Sequence, residues 1–472
     1  METMHVHLIG IGGSGLSAIA SLLLERGEVV SGSDRQMTPA AKAIQAAGAT
    51  IMLGHRAENI AGADVVVRSS AIPESNPEVQ AAQAAGIPVF KRDGFLGNLL
   101  QGYRVIAVAG THGKTTTTAM VAWVLTKLGT DPSYIIGSHA VNLGGNAHAG
   151  KSDLFVIEAD EYDRMFLGLS PYIEVVTNLE HDHPDCYPTP ADFYAAFEAF
   201  AARLAPGGVL LACEEDPGAR HLLQQVSNQR GKTLSYGLAR FPEGPQPDYS
   251  ASDLKRNEQG GSTFNFSLRR PQGAGEAPHA RVRLKLPGRH NVLNALAVMG
   301  VVHILELPLA AAADALGEFR GTSRRFELRG EVNGVVVIDD YAHHPSEVKA
   351  TLAAARERYP GRRLWAVWQP HTYSRVRALF DDFVNAFADA DIVLVTEVYA
   401  AREATPEDGF SARRLVAVMP RRDVYFVPDL AQAASFLLDG LRPGDVLLVL
   451  SAGDADQIST DVLSRLSTSQ SV

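Results

Sequence analysis

The sequence predicts three α/β domains in series, the outer two Rossmann-like and the central one of the P-loop ATPase type. Short apolar runs alternate with helical stretches along the whole chain, the pattern of parallel sheets covered by helices. Glycine-rich turns fall between a strand and a helix at 10–15 and again at 110–113. The length of 472 residues, at roughly 150 per domain, leaves room for three cores.

The first domain is expected over residues 1–102. Residues 6–9 read as a buried strand, 14–26 as a helix and 29–33 as a second strand, together a βαβ unit. The mostly apolar stretch 5–24 lacks a basic start and is broken by four glycines, so strand, turn and helix fit it better than a signal peptide. Strands are expected at 49–53 and 64–68, and a helix at 96–100.

The second domain, 103–322, opens with a strand at 104–109 and a helix at 114–128. Strands follow at 154–159, 173–177 and 209–212. The Gly, Pro and Glu-rich segment 237–260 reads as an exposed connection, and the alternating runs 263–268 and 280–286 as antiparallel strands. A helix starts near Asn291. The third domain, 323–472, carries strands at 335–339, 364–369, 392–398 and 446–450.

A net charge of −10 argues against a general nucleic-acid or membrane-surface binder, because such affinity comes from clustered Lys and Arg. The two cysteines, Cys186 and Cys213, suit neither a disulfide framework nor a zinc motif, which fits a reducing cytoplasm.

Gly110-Thr111-His112-Gly113-Lys114-Thr115-Thr116 carries the clearest chemistry. Glycines let backbone N–H groups approach phosphate oxygens, and the following helix adds its dipole. Lys114 can then reach the β and γ phosphates while Thr115 ligates Mg2+. The usual P-loop has glycine where Val108 stands, so only its second half is matched. Glu158 and His183 each follow an apolar strand and would reach the crevice at the sheet's edge. Mg2+ prefers oxygen, which favours Thr115 and Glu158 over a histidine. Gly10, Gly12, Gly13, Ser14 and Gly15 make a dinucleotide-type turn, and Asp34 ends the next strand, a pairing suited to a ribose diphosphate. A nicotinamide dehydrogenase would use the same turn, but here it shares a chain with a triphosphate loop.

These motifs resemble the Mur ligase family of ATP-dependent amide-forming enzymes. The likeness runs through Gly10–Gly15, Gly110–Thr116, Glu158–Asp163, Asn178–His183, Gly288–Asn294, Arg324-Arg325 and Asp339–Pro345. It implies that Lys114 and Thr115 hold ATP and Mg2+, that Glu158 and His183 belong to the metal site, and that His290, Asn291 and Asn294 lie near the nucleotide. Arg325 and Asp340 would reach ATP from the third domain. The Gly10 turn, with Asp34 and Ser69-Ser70-Ala71, would hold a UDP-sugar. His371 and Arg375, in Gln369–Arg375, would face the incoming amino acid, Arg375 pairing with its carboxylate.

Within the family, Ser451-Ala452-Gly453-Asp454 resembles the branch that joins L-alanine to UDP-N-acetylmuramate through an acyl phosphate. Thr372 and Val376 depart from the arginine and threonine common in that branch. A relative that attaches a recycled murein tripeptide is the runner-up. No lysine lies between Lys151 and Lys232, so the carbamylated lysine of other members has no candidate there. His343, His344 and His183 are the candidate general bases. A P-loop ATPase coupled to partner binding would hydrolyse ATP without sugar or amino acid, and a sugar-nucleotide sensor would bind without turnover.

Overall fold

The computed structural model describes residues 3–227, 232–238, 246–269 and 280–468. The first sheet is parallel throughout: β1 (His5–Ile9), β2 (Val29–Asp34), β3 (Thr50–Leu53), β4 (Val65–Arg68) and β5 (Val89–Lys91), in the order β3-β2-β1-β4-β5. The order reverses at β1, so its carboxyl end opens a crevice between the ends of β2 and β4. The glycine turn occupies that crevice.

The central sheet has ten strands: β6 (Arg104–Ala109), β7 (Ser133–Ala140), β8 (Gly145–His148), β9 (Leu154–Glu158), β10 (Ile173–Val176), β11 (Val209–Cys213), β12 (Lys232–Leu238), β13 (Tyr249–Arg256), β14 (Ser262–Leu268) and β15 (Ala280–Arg283). Their order is β15-β14-β13-β12-β11-β10-β6-β9-β7-β8. Here β6 is the switch point, flanked in parallel by β10 and β9. Strand β6 is buried from Val105 to Ala109, as expected of a strand covered on both faces.

The third sheet contains β16 (Glu327–Val332), β17 (Val335–Asp340), β18 (Leu364–Gln369), β19 (Ile392–Val395), β20 (Val424–Phe426) and β21 (Val446–Ser451), in the order β16-β17-β21-β18-β19-β20. Only β16 is antiparallel to its neighbour.

The segment 237–260 is not simply a connection. Strand β12 ends at Leu238, and β13 crosses the sheet beside β12 and β14; residues 239–245 lie outside the described residues. Tyr249 and Ala251 point inward along β13 and are buried, an alternation that the polar composition around them conceals. The strand expected at 280–286 stops at Arg283.

The domains are joined in two different ways. Val6, Leu8, Ile19 and Leu23 of the first domain share one apolar core with Phe155, Phe193, Phe197 and Phe200 of the central one. Backbones meet there too. A methyl group placed on Gly97 would lie 2.9 Å from the Gly168 carbonyl oxygen, and one on Gly168 would lie 2.5 Å from that of Asp93. The third sheet instead has apolar cores of its own on its two faces. Its ties to the phosphate loop and the 178–183 segment are polar.

Candidate active site

The phosphate loop follows β6. Gly110 and Gly113 take φ values of +126° and +81°, where a side chain would be strained. Space forbids one at Gly113 as well, since an added methyl would sit 2.9 Å from Asn294 Oδ1. Asn294 reaches the loop from the helix Arg289–Ile304, and its amide donates to Asn291 Oδ1 at 3.3 Å. Asn291 donates in turn to the Pro287 carbonyl at 2.7 Å. His290 beside it is pushed down to about 4 by burial and is neutral. With His112, Gly113, Thr116 and Asn178, these groups line a pocket completed by Arg325 and Asp340 of the third domain.

The loop is fixed by the segment after β10. Thr111 Oγ1 donates to the Glu180 carbonyl (2.8 Å) and accepts from the Glu180 N–H (2.9 Å). Asn178 Oδ1 accepts from His112 N at 2.9 Å. His112 lies between two carboxylates, Glu180 at 2.9 Å and Glu347 at 3.1 Å. Burial opposes its charge, but the two acids outweigh burial and hold it at about 9.

Lys114 Nζ donates to the carbonyls of Gly110 and Thr111 (2.6 and 3.0 Å) and to Glu161 Oε1 (2.9 Å). Thr115 Oγ1 donates to Glu158 Oε1 at 3.0 Å, and Gly137 N to Glu158 Oε2 at 2.8 Å. Burial lifts the Glu158 carboxyl above its usual range despite the nearby Lys114. A half-buried carboxylate and a hydroxyl, side by side at the helix start, are the oxygen donors that Mg2+ prefers, so these residues fit that ion. His183 is tied in through acids, its Nε2 lying 3.6 Å from Glu161 and 3.8 Å from Asp182. Burial lowers its pKa, but those acids raise it more.

From the third domain, Arg325 stacks over Tyr341 at 5.1 Å and lies 3.7 Å from Glu347. Asp340 caps β17, accepting from Phe326 N (2.6 Å) and Ala342 N (2.8 Å); burial raises it to about 6. His343 Nδ1 faces the Tyr341 carbonyl at 2.9 Å, which places the proton on Nδ1 and leaves Nε2 a lone pair. Burial takes His343 to about 3 and His371 to about 4. His344 is lowered by burial too. At these values His343 is a hydrogen-bond acceptor and a weak base.

Arg375 does not present a free fork. Its Nε and Nη2 donate to the two oxygens of Asp182 (2.9 and 3.2 Å), and Nη1 lies 3.1 Å from His371 Nδ1. A carboxylate of the protein stands where the sequence suggested one from the amino acid.

In the first domain Gly12 N donates to Asp34 Oδ2 at 2.9 Å, so Asp34 braces the glycine turn. Gly13 precedes the helix that starts at Ser14. Ser69, Ser70 and Ala71 form the turn after β4; a methyl on Gly10 would meet Ser69 Cβ at 3.2 Å. A methyl on Gly15 would meet the Arg92 guanidinium, which would have to shift, and Arg92 Nη2 donates to Asp160 at 2.8 Å. Ser14, Gly15, Lys114, Thr115, Glu158, His183, Arg325, His343, His371 and Arg375 line one cleft.

Glu161, Glu180, Asp182 and Glu347 were not singled out from sequence, yet each pairs with a residue that was. Glu347 had a signal: it stands three residues after His344, which caps the helix Pro345–Arg358, in a capping-box arrangement.

Three family models cover the chain: the Mur ligase family catalytic domain over residues 5–104, the Mur ligase middle domain over 108–302, and the Mur ligase glutamate ligase domain over 324–453. A protein of Roseiflexus sp. (strain RS-1) named UDP-N-acetylmuramate–L-alanine ligase is 44% identical over 471 residues, 98% of this chain and 99% of that one. The chain belongs to the Mur ligase family. Another Mur ligase of the same name, from Pelotomaculum thermopropionicum, is 41% identical over 99% of each chain. Among solved Mur ligases, the UDP-N-acetylmuramate–alanine ligase of Thermotoga maritima superposes with a TM-score of 0.81 at 29% identity, covering 99% of this chain and all of that one. A murein peptide ligase from Psychrobacter arcticus gives 0.73 at 27% identity over 98% of each.

Proposed function

We propose that the chain joins the amino group of L-alanine to the carboxylate of UDP-N-acetylmuramate, driven by ATP, in peptidoglycan precursor synthesis. The observation that carries this reading is the convergence of a triphosphate loop, an oxygen-rich metal site and a cationic Arg325 on a cleft that also receives the first domain's glycine turn. The curated relatives bear that ligase name over nearly their full length, and the T. maritima alanine ligase superposes better than the murein peptide ligase. The tripeptide-adding alternative is therefore not favoured.

In this reading residues 1–102 bind the UDP-sugar, 103–322 bind ATP and 323–472 bind the amino acid. A carboxylate oxygen of the sugar attacks the γ-phosphorus of ATP, and ADP leaves. Lys114 and Arg325 neutralise charge on the transferring group. Thr115, Glu158 and His183 would hold Mg2+, which supplies further positive charge at the phosphates. The alanine nitrogen, as the neutral amine, then attacks the acyl carbon, phosphate departs, and the proton lost from the nitrogen goes to the departing phosphate. The neutral His343 Nε2 accepts a hydrogen bond from the amine and orients it. The polar attachment of the third domain suits closure over the substrates, which keeps water from the acyl phosphate.

No described helix is long and apolar enough to cross a membrane. Dependence on ATP assigns the work to the cytoplasm. The test incubates purified protein with ATP, Mg2+ and UDP-N-acetylmuramate and compares phosphate release with L-alanine, glycine, L-serine and the murein tripeptide. L-Alanine should give the highest kcat/KM. Preference for the tripeptide, or phosphate release without the sugar, would overturn the assignment.

A further inference from the structure

His112, Glu180 and His344 converge at the seam between the phosphate loop and the third domain, with one ligand atom from each lying within 4.8 Å of the others. We propose that these three side chains form a binding site for a divalent transition metal of the zinc class, which fastens the third domain to the phosphate loop.

Geometry is the first argument. His112 Nε2 is 2.9 Å from Glu180 Oε2, and His344 Nδ1 is 3.6 Å from the same oxygen. Ligand atoms about 2.0–2.1 Å from a tetrahedral zinc stand roughly 3.3 Å apart, so small side-chain adjustments suffice. Two imidazoles and one carboxylate also select the zinc class over Mg2+, unlike the oxygen donors of Thr115 and Glu158.

The surrounding hydrogen bonds are the second, independent argument. Glu347 Oε1 lies 3.1 Å from His112 Nδ1, which points Nε2 inward in a carboxylate–histidine–metal relay. Ser346 Oγ donates to Glu180 Oε1 at 2.8 Å, leaving Oε2 for the ion. His344 is 1% exposed; its Nδ1 accepts a long 3.3 Å bond from Ser346 N in capping the helix, and Nε2 has no partner among the described residues. The Glu180 side chain is 42% exposed, so solvent can deliver the ion and supply a fourth ligand.

The ligands come from two domains, and binding resists their separation.

The test titrates ZnCl2 calorimetrically into the full-length protein with Mg2+ in large excess to occupy the Thr115–Glu158 site. One Zn2+ per chain is expected, and Co2+ in its place should give the absorption of a tetrahedral nitrogen–oxygen site. Glu347→Gln touches no ligand atom and should weaken binding about 10–100-fold. His344→Ala should weaken it further, and Glu158→Gln should leave it intact. Zn2+ should raise the melting temperature of the wild type by mass action and not that of His344→Ala. Equal zinc affinity in the wild type and in folded Glu347→Gln and His344→Ala proteins would overturn the proposal, as would an absence of zinc binding in the presence of Mg2+.

Discussion

Asp182 holds Arg375 through two hydrogen bonds, at 2.9 and 3.2 Å, across the seam between the central and third domains. Both side chains are about 95% buried. Burial opposes charge on Asp182, but Arg375 and the nearby His183 drive its carboxyl well below the usual range. Breaking such a pair strands a buried charge. Arg375→Met should destabilise the third domain's attachment by about 3–5 kcal/mol, read as an early transition in urea unfolding followed by domain-specific proteolysis.

Lys114→Ala should lower amide formation on the order of a hundredfold to a thousandfold, the usual effect of removing a positioned stabiliser of transferring charge. The far-UV circular dichroism of the variant should remain that of a folded protein while its melting temperature falls, since the buried Glu161 loses its partner at 2.9 Å. Full activity in the variant would sink the assignment of the loop.

Glu174 sits in the middle of β10, fully buried, and neither of its carboxylate oxygens has a partner among the described residues. Burial holds its pKa well above the normal range. A raised acid leaves stability untouched below its unfolded value near 4.5 and erodes it as pH climbs from there toward the folded value. Glu174→Met should therefore stabilise the protein by about 1–3 kcal/mol, with the gain smallest near pH 4 and larger at neutrality. Thermal melts across pH measure this, and a pH-independent effect would contradict it.

The His112–Glu180 pair makes an opposite prediction. His112, raised to about 9, contributes stability that is complete below its unfolded value of 6.5 and lost as pH rises through 9. Glu180, lowered to about 2, contributes stability present above 4.5 and lost as pH falls through 2. Melting temperature should peak between these limbs, and His112→Gln should flatten the alkaline one.

The sequence made the strand-end chemistry legible because glycines and polar residues interrupt apolar runs at the carboxyl ends of β1, β6, β9 and β10. Other strands were concealed. Strand β7 carries Gly137, Ser138 and His139 in its second half, and β13 ends in charged residues, so neither reads as an apolar run. The cross-domain pairs were invisible for another reason. Asp182 and Arg375 are 193 residues apart, and His112 and Glu347 are 235 apart; no local pattern announces a partner at such range. The reading of Arg375 as a substrate clamp missed that a protein carboxylate already fills its fork.

The touching backbones at Gly97 and Gly168 have a bearing on mutational tolerance. Any larger residue at either position would act as a wedge, tilting the first domain away from the central one. A saturation scan should find both positions as intolerant as the phosphate loop, and the damage at each would be mechanical, a misalignment of intact parts.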